Sequence, residues 1–251
     1  MKNVPVFNAY SRYYDLLYKD KDYKAEVQYI VSILKSNDIT FSKILEFGSG
    51  TGKHGRLLAK EGYNITGIEL SDNMVKQAYE TDGFTCQQGD IRKVCIERSF
   101  DIVLALFHVM SYQVTNDDVS AVFQRAYDHL EVGGLFLFDV WYSPAVYNLK
   151  PENRVKRMMD DEVEVTRNAY PKIYPNENRV DVEYSVFVKE KINSQNHNFL
   201  ETHSMRHFSI PEIEHFAEKN NFQVLKKEEF LTGNLPSENT WGVCFVLKKK
   251  A

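Results

Sequence analysis

The sequence predicts an α/β fold: an open, mostly parallel sheet with helices on both faces, carrying an inserted antiparallel β subdomain. Three observations lead there. A short β-rich segment, 40–47, runs into the glycine turn 48–52 and then into a helical pattern. Strand-like and helix-like segments go on alternating to about Val140, the rhythm of parallel strands joined by crossover helices. Beyond Trp141 that rhythm breaks. Val180, Val182, Tyr184, Val186 and Val188 there alternate with Asp181, Glu183, Ser185 and Phe187, as antiparallel strands with one wetter face do. A chain of 251 residues can bury a sizeable core without disulfides or metals. The expected organisation is one domain over 1–251, with a helical lid at 1–40 and inserted strands at 141–208.

The elements follow in order. Tyr10, Tyr14, Leu17 and Tyr18 recur at helical spacing, and Tyr23, Val27, Ile30 and Leu34 mark a second helix. The first strand covers Thr40 to Phe47. A helix from His54 to Glu61 stops at Gly62, and Tyr63 to Leu70 is the second strand. Ser71 caps a helix through about Glu80, with Asp72 favouring its dipole. Thr85 to Gln88 is a short strand ending at Gly89-Asp90, and Phe100 to Leu106 reads as a fully buried strand. Asn116 to Leu130 is a helix with Asn116 or Thr115 as cap. Gly133-Gly134 is a turn, and Leu135 to Val140 another buried strand. Residues 144–160, with Pro144 and Pro151, read as a mixed charged segment. Val163 to Ala169, Arg179 to Ile192 and Phe199 to Phe208 are the inserted strands, with a polar turn at Asn193 to Asn198. Ser209 and Pro211 start a helix ending near Asn220-Asn221, before strands Phe222 to Phe230 and Trp241 to Lys248.

The glycine turn is the strongest local signal. Glycines there allow positive φ and close backbone approach to a ligand, and the next helix offers unpaired N–H groups. The order Gly48-x-Gly50-x-Gly52 puts Lys53 where a dinucleotide fingerprint has its third glycine, and Gly52-Lys53 precedes His54 rather than Ser or Thr. It therefore matches neither that fingerprint nor a P-loop. Glu69 closes the second strand, where a carboxylate can accept from ribose hydroxyls. Asp90 closes the third, within reach of an adenine amino group, with Ile91 as an apolar wall. All three features fall at carboxyl ends of strands, where open α/β sheets bind ligands. Together they indicate an adenosine-containing ligand.

On these residues, 43–140 resembles a class I S-adenosylmethionine-dependent methyltransferase, in Glu46-Phe47-Gly48-Ser49-Gly50-Thr51-Gly52, Glu69, Gly89-Asp90 and the strand Asp101 to Leu106. A narrower likeness runs over almost the whole chain. Tyr14-Asp15, Leu17-Tyr18, Lys21-Asp22-Tyr23, Gly52-Lys53-His54, Glu69-Leu70-Ser71 with Met74, and Val140-Trp141-Tyr142 are similar to small bacterial amino-sugar N,N-dimethyltransferases. The resemblance implies a Rossmann-like seven-stranded methyltransferase sheet and S-adenosyl-L-methionine as cofactor, with S-adenosyl-L-homocysteine as product. It also implies cofactor contacts from Glu46, Gly48, Ser49, Gly50, Gly52, His54 and Ser71. Glu69 would hold the ribose, Leu70 and Met74 would flank the adenine or ribose, and Asp90 and Ile91 would bind the adenine. Leu106, Phe107 and His108 would line the methionine and acceptor side, and Tyr14 and Tyr23 would close over the cofactor.

The transfer is an in-line attack on the sulfonium methyl, which depends above all on orientation. An amine attacks only when neutral, so a proton acceptor is useful. His108, directly after the fourth strand, is the first choice, with Tyr14 beside it as a second catalytic candidate. Aromatic faces favour a sulfonium or methylated ammonium. Trp141, Tyr142 and Trp241 are candidates for such a lining, and Arg167, Tyr184 and Arg206 on the inserted strands could reach a nucleotide-linked or carboxylated substrate. His203 and His207 belong to the same stretch. The expected function is methyl transfer to a small-molecule acceptor, an amino group first, with a nucleotide-linked amino sugar as one candidate. O-methylation of a hydroxyl or carboxylate, a cofactor-binding protein without chemistry, and a nicotinamide-dependent dehydrogenase are the alternatives.

Composition narrows the partners. Lys and Arg total 31 against 35 Asp and Glu, a formal charge of −4, which weighs against a main role on nucleic acid. Cys86, Cys95 and Cys244 are scattered, which suggests a reducing compartment, no disulfide framework and no zinc site. The seven histidines lack ligand spacing, so no metal is expected. The first residues lack the apolar core of a signal peptide and no apolar run is long enough to span a bilayer. A cytoplasmic protein with no membrane partner is expected, and a homodimer is compatible with the sequence.

Overall fold

The computed structural model describes residues 2–3, 6–7, 9–39, 42–193 and 195–251. Positions 40–41, the start of the expected first strand, and 194 in the expected polar turn lie outside them. Strand β1 (Lys2–Asn3) is followed by helices α1 (Ser11–Leu17) and α2 (Tyr23–Ser36). Asp22 caps α2 by accepting the Ala25 N–H at 2.9 Å, and Val27, Ile30, Val31 and Leu34 form its buried stripe. Then come β2 (Lys43–Phe47), α3 (Lys53–Lys60), β3 (Asn64–Glu69), α4 (Asp72–Val75), β4 (Phe84–Gln88), β5 (Phe100–Ala105), α5 (Asn116–His129) and β6 (Leu130–Tyr142). After α6 (Ser143–Asn148) follow β7 (Arg154–Met159), β8 (Val163–Tyr174), β9 (Arg179–Glu190) and β10 (Asn196–Phe208). Helix α7 (Ile210–Lys219), β11 (Phe222–Glu229) and β12 (Gly242–Lys249) complete the chain.

Strands β4, β3, β2, β5 and β6 lie side by side in parallel. Antiparallel β12 joins β6, and β11 joins β12, making the seven-stranded mixed sheet expected. Side-chain alternation splits its core in two. Leu45, Phe47, Val103, Phe136 and Phe138 pack with α5 and α7. Ile44, Ile102, Leu104, Leu135 and Leu137 pack with α2 and α3. Period-two alternation in strands requires this of a sheet covered on both faces.

The insertion forms an antiparallel β7-β8-β9-β10 meander. The end of β10 runs beside the end of β6, with His207 opposite Trp141 and Phe208 opposite Tyr142. One side of the meander is thereby pinned above the carboxyl ends of the parallel strands. Helix α1 lies on its inner face, where Tyr10, Tyr13 and Leu17 pack with Val165, Val186, Val188 and Phe199.

Several expectations need correction. The charged stretch 144–160 is not irregular: Pro144 starts α6, and Arg154 to Met159 form β7. The periodicity of that strand is masked because its outer residues include Val155 and Met159, both exposed. The helix capped by Ser71 ends at Val75, five residues short of Glu80. Thr115, not Asn116, caps α5, accepting the Asp118 N–H at 3.0 Å. Gly133 and Gly134 lie within β6, where Gly133 has φ +84° and the pairing with β5 slips register. No helix among the described residues is long and apolar enough to cross a membrane.

Candidate active site

Strand β2 delivers the chain to Gly48 at the carboxyl edge of the sheet. Gly48 has φ +66°, and a Cβ there would lie 2.4 Å from Val109 Cγ2, so neither the backbone nor the space accepts a side chain. The loop is anchored through the Gly48 and Ser49 N–H groups, both donating to the Ile68 carbonyl at 2.7 and 3.1 Å. Glu69, at the end of β3, then accepts from the Gly50 N–H at 3.0 Å and the Ser71 N–H at 2.8 Å. One buried carboxylate therefore ties the glycine loop to the start of α4. Burial raises the Glu69 carboxyl, and the N–H groups of Ser71, Gly50 and Leu70 oppose that rise.

A cavity of about 980 Å³ opens above this edge. Gly48, Gly50, His54, Glu69, Leu70, Ser71, Met74, Asp90, Ile91, Leu106, Phe107 and His108 line it, as do Tyr14, Tyr23, Trp141 and Tyr184. Asp90 is held by Arg92, which donates from Nε to Oδ1 at 2.9 Å and from Nη2 to Oδ2 at 2.8 Å. The hydrogen bonds from Arg92 keep the Asp90 carboxyl below its ordinary range against the pull of burial.

On the other side of the cavity the rings follow one another. Tyr14 and Tyr18 are 4.7 Å apart between centroids, Tyr18 and Phe107 5.1 Å, Phe107 and His108 5.7 Å, and His108 and Trp141 6.1 Å. Phe107 and His108 both have left-handed backbones, φ +62° and +64°, uncommon for residues with side chains. This double turn brings His108 back over β6. Its Nδ1 lies 2.6 Å from Asp139 Oδ2, a contact short in distance but not aligned as a hydrogen bond. The aligned donor is the His108 backbone N–H, which reaches both carboxylate oxygens at 3.1 and 3.2 Å. Burial works to raise the Asp139 carboxyl, and the facing His108 more than offsets it, leaving Asp139 below its ordinary range. Asp139 is a residue the sequence reading missed. Its signal was there: one carboxylate inside the apolar run Leu135 to Val140.

The structure sets other candidates away from the cavity. Ser49 turns to Cys86, 3.2 Å from Oγ to Sγ. Gly52 does not line the cavity, and a Cβ there would meet the Phe84 ring. Tyr142 packs into the core, and Trp241 stands behind Trp141. Arg167 does not line the cavity: its Nη1 donates to the hydroxyls of Tyr10 at 2.8 Å and Tyr18 at 3.3 Å. Arg206 is on the opposite side of β10 from Glu201 and His203, because strand side chains alternate. Its Nη2 is taken by Asn116 at 2.7 Å and by Glu212 at 2.5 Å. His207 is buried against Ser143 and Tyr147. His54, by contrast, stays on the cavity wall, though mostly buried, with Nε2 2.6 Å from Glu26 Oε2 and its ring against Tyr23.

Glu46 also lies beneath the cavity rather than on its wall. Burial, opposed by Arg56 and helped by Glu69, pushes its carboxyl up to about 8. Between about pH 4.5 and 8 the folded chain thus keeps a proton that the unfolded chain has released, so stability falls as pH rises through that window. His207, pushed down to about 4 by burial, works the other way between pH 4 and 6.5. Above 6.5 the Glu46 effect is no longer opposed by that ring. Glu46→Gln is expected to flatten the decline from pH 6.5 to 8 in denaturant unfolding without cofactor. Parallel wild-type and variant curves would contradict this.

The comparisons agree with this geometry. Residues 44–134 match the model of a methyltransferase domain. The chain is 28% identical over 250 residues to a putative methyltransferase of Geobacillus sp. (strain WCH70), covering 97% of this chain and 99% of that one. The crystal structure of Streptomyces venezuelae DesVI superposes with a TM-score of 0.81 at 25% identity, covering 96% and 98% of the two chains. The chain is an S-adenosylmethionine-dependent methyltransferase. The methyltransferase is also 32% identical over 137 residues to the dTDP-3-amino-3,4,6-trideoxy-alpha-D-glucopyranose N,N-dimethyltransferase of Streptomyces venezuelae, covering 53% of this chain and 58% of that one. Among the described residues no three His, Cys, Asp or Glu side chains gather as a metal site would need.

The residues present suit the cofactor. Glu69 supplies a buried carboxylate for paired hydroxyls, Ile91 and Met74 supply apolar surface, and the positive-φ loop brings backbone rather than side chain to the cavity.

Proposed function

We propose that this methyltransferase methylates an amino group of a small molecule, with a nucleotide-linked amino sugar as the favoured acceptor class. The observation that carries the reading is His108 on the cavity wall with the buried carboxylate of Asp139 against its ring. The names of the sugar N,N-dimethyltransferase relatives support the acceptor class.

In this reading Glu69 holds the ribose hydroxyls by charge-assisted hydrogen bonds, Asp90 and Ile91 take the adenine, and Leu70, Met74, Tyr14 and Tyr23 close the sides. The cofactor supplies an electrophilic methyl on a sulfonium. Tyr14, Tyr18, Phe107 and Trp141 present ring faces suited to a cation and keep water from the transfer. His108 accepts the proton that the amine must lose. Asp139, ionised and behind the ring, favours the protonated imidazole as it forms.

The test is a methyl-transfer screen over nucleotide-linked amino sugars, free amino sugars, small amines, phenols and hydroxy acids, read by mass. Transfer to amines, by one or two methyl units, is expected. Transfer only to phenols or carboxylates would overturn the amine assignment.

A further inference from the structure

We infer that Tyr112 selects the acceptor by hydrogen-bond polarity, taking a hydrogen from an N–H or O–H of the acceptor and disfavouring carboxylate or phosphate oxygens. This rests on the proposed function and adds a rule for which acceptors fit.

Behind Tyr112 runs a buried chain of partners that the transfer mechanism does not use. Glu201 is 0% exposed. Its two oxygens accept the backbone N–H groups of Phe7, at 2.9 Å, and Tyr10, at 2.8 Å. His203, also buried, sets Nε2 3.4 Å from Glu201 Oε2, at ion-pair distance though not aligned as a hydrogen bond. Its other nitrogen, Nδ1, is 2.9 Å from the Tyr112 hydroxyl. A carboxylate presents only lone pairs. A bare Nε2 would set its own lone pair against them, so the ring proton belongs on Nε2. Burial pushes the His203 ring below its ordinary value, so the second nitrogen stays unprotonated. Nδ1 then carries a lone pair, and the Tyr112 O–H must donate to it.

A tyrosine hydroxyl has one hydrogen. With that hydrogen spent on His203, the Tyr112 oxygen offers only lone pairs to the cavity that both residues line. An ammonium, amine or hydroxyl can donate to it; an acceptor-only oxygen meets repulsion. Tyr10 has the reverse polarity, because its oxygen accepts from Arg167 at 2.8 Å and keeps its hydrogen to give. Two tyrosines on one cavity wall are thus made unlike by what stands behind them.

Two measurements on the full chain test this. Nitrogen NMR of the His203 ring at neutral pH is expected to show a protonated Nε2 and a bare Nδ1, with the Nδ1 signal moving in Tyr112→Phe. The opposite tautomer, or a doubly protonated ring, overturns the inference. Calorimetry with S-adenosylhomocysteine present then compares D-glucosamine with D-glucuronate. The amine is expected to bind at least about tenfold more tightly, as a hydrogen bond to a charged group allows. Tyr112→Phe should narrow that ratio several-fold while leaving S-adenosylhomocysteine affinity within about twofold. A ratio unchanged by the variant overturns the inference. Absence of methyl transfer to every amine in the screen would instead fail the functional reading, and the ring tautomer would still decide the Tyr112 polarity.

Discussion

Replacing Glu69 by alanine is expected to lower affinity for S-adenosylhomocysteine by about a hundredfold or more. On the proposed role the variant loses two charge-assisted hydrogen bonds to ribose, each worth about 1.5–3 kcal/mol, and tenfold in affinity is about 1.4 kcal/mol. It also leaves the Gly50 and Ser71 N–H groups without the acceptor that joins them. The glycine loop and the start of α4 then lose their common anchor. Glu69→Gln separates the two effects. It keeps the shape and one acceptor oxygen but not the charge, and should lose an intermediate amount. Calorimetric titration checks both, with thermal unfolding as the control for folding. A loss below about threefold in Glu69→Ala would remove the ribose role.

The second large effect is expected at His108. His108→Ala should cut kcat by about a hundredfold or more, within the range a positioned general base contributes. S-adenosylhomocysteine affinity should change little, since the proposed function puts the ring on the acceptor side. Asp139→Asn should lower kcat in the same direction though less, because asparagine still offers an oxygen to the His108 N–H but no longer balances charge on the ring. Initial rates at saturating acceptor, paired with binding of S-adenosylhomocysteine, make the check. A kcat reduced less than about fivefold in His108→Ala would make His108 a wall of the pocket and not a base.

Much of the cofactor side was legible before any coordinates. Three glycines with positive φ between a buried strand and a helix are a local backbone demand, readable from residue order. Glu69 and Asp90 were readable because parallel strands end on one edge. Asp139 carries its significance through a residue 31 positions away, in the turn that follows the neighbouring strand. Arg206 falls on the outward parity of β10, a side that alternation alone does not choose, and Glu212 of α7 claims its guanidinium. Arg167 reaches the tyrosines that flank α1, Tyr10 and Tyr18, which line the cavity as it does not.

Residue order alone set the βα alternation, the place of the insertion, the glycine loop and the acids at the strand ends. These rest on local rules: backbone freedom, side-chain period and capping. Long-range packing alone set the acceptor side. Glu201 meets Phe7 and Tyr10 from more than 190 residues away, and His108 meets Asp139 through an unusual double turn. Such contacts depend on how the inserted sheet docks on the parallel one, and no short stretch of sequence contains that information.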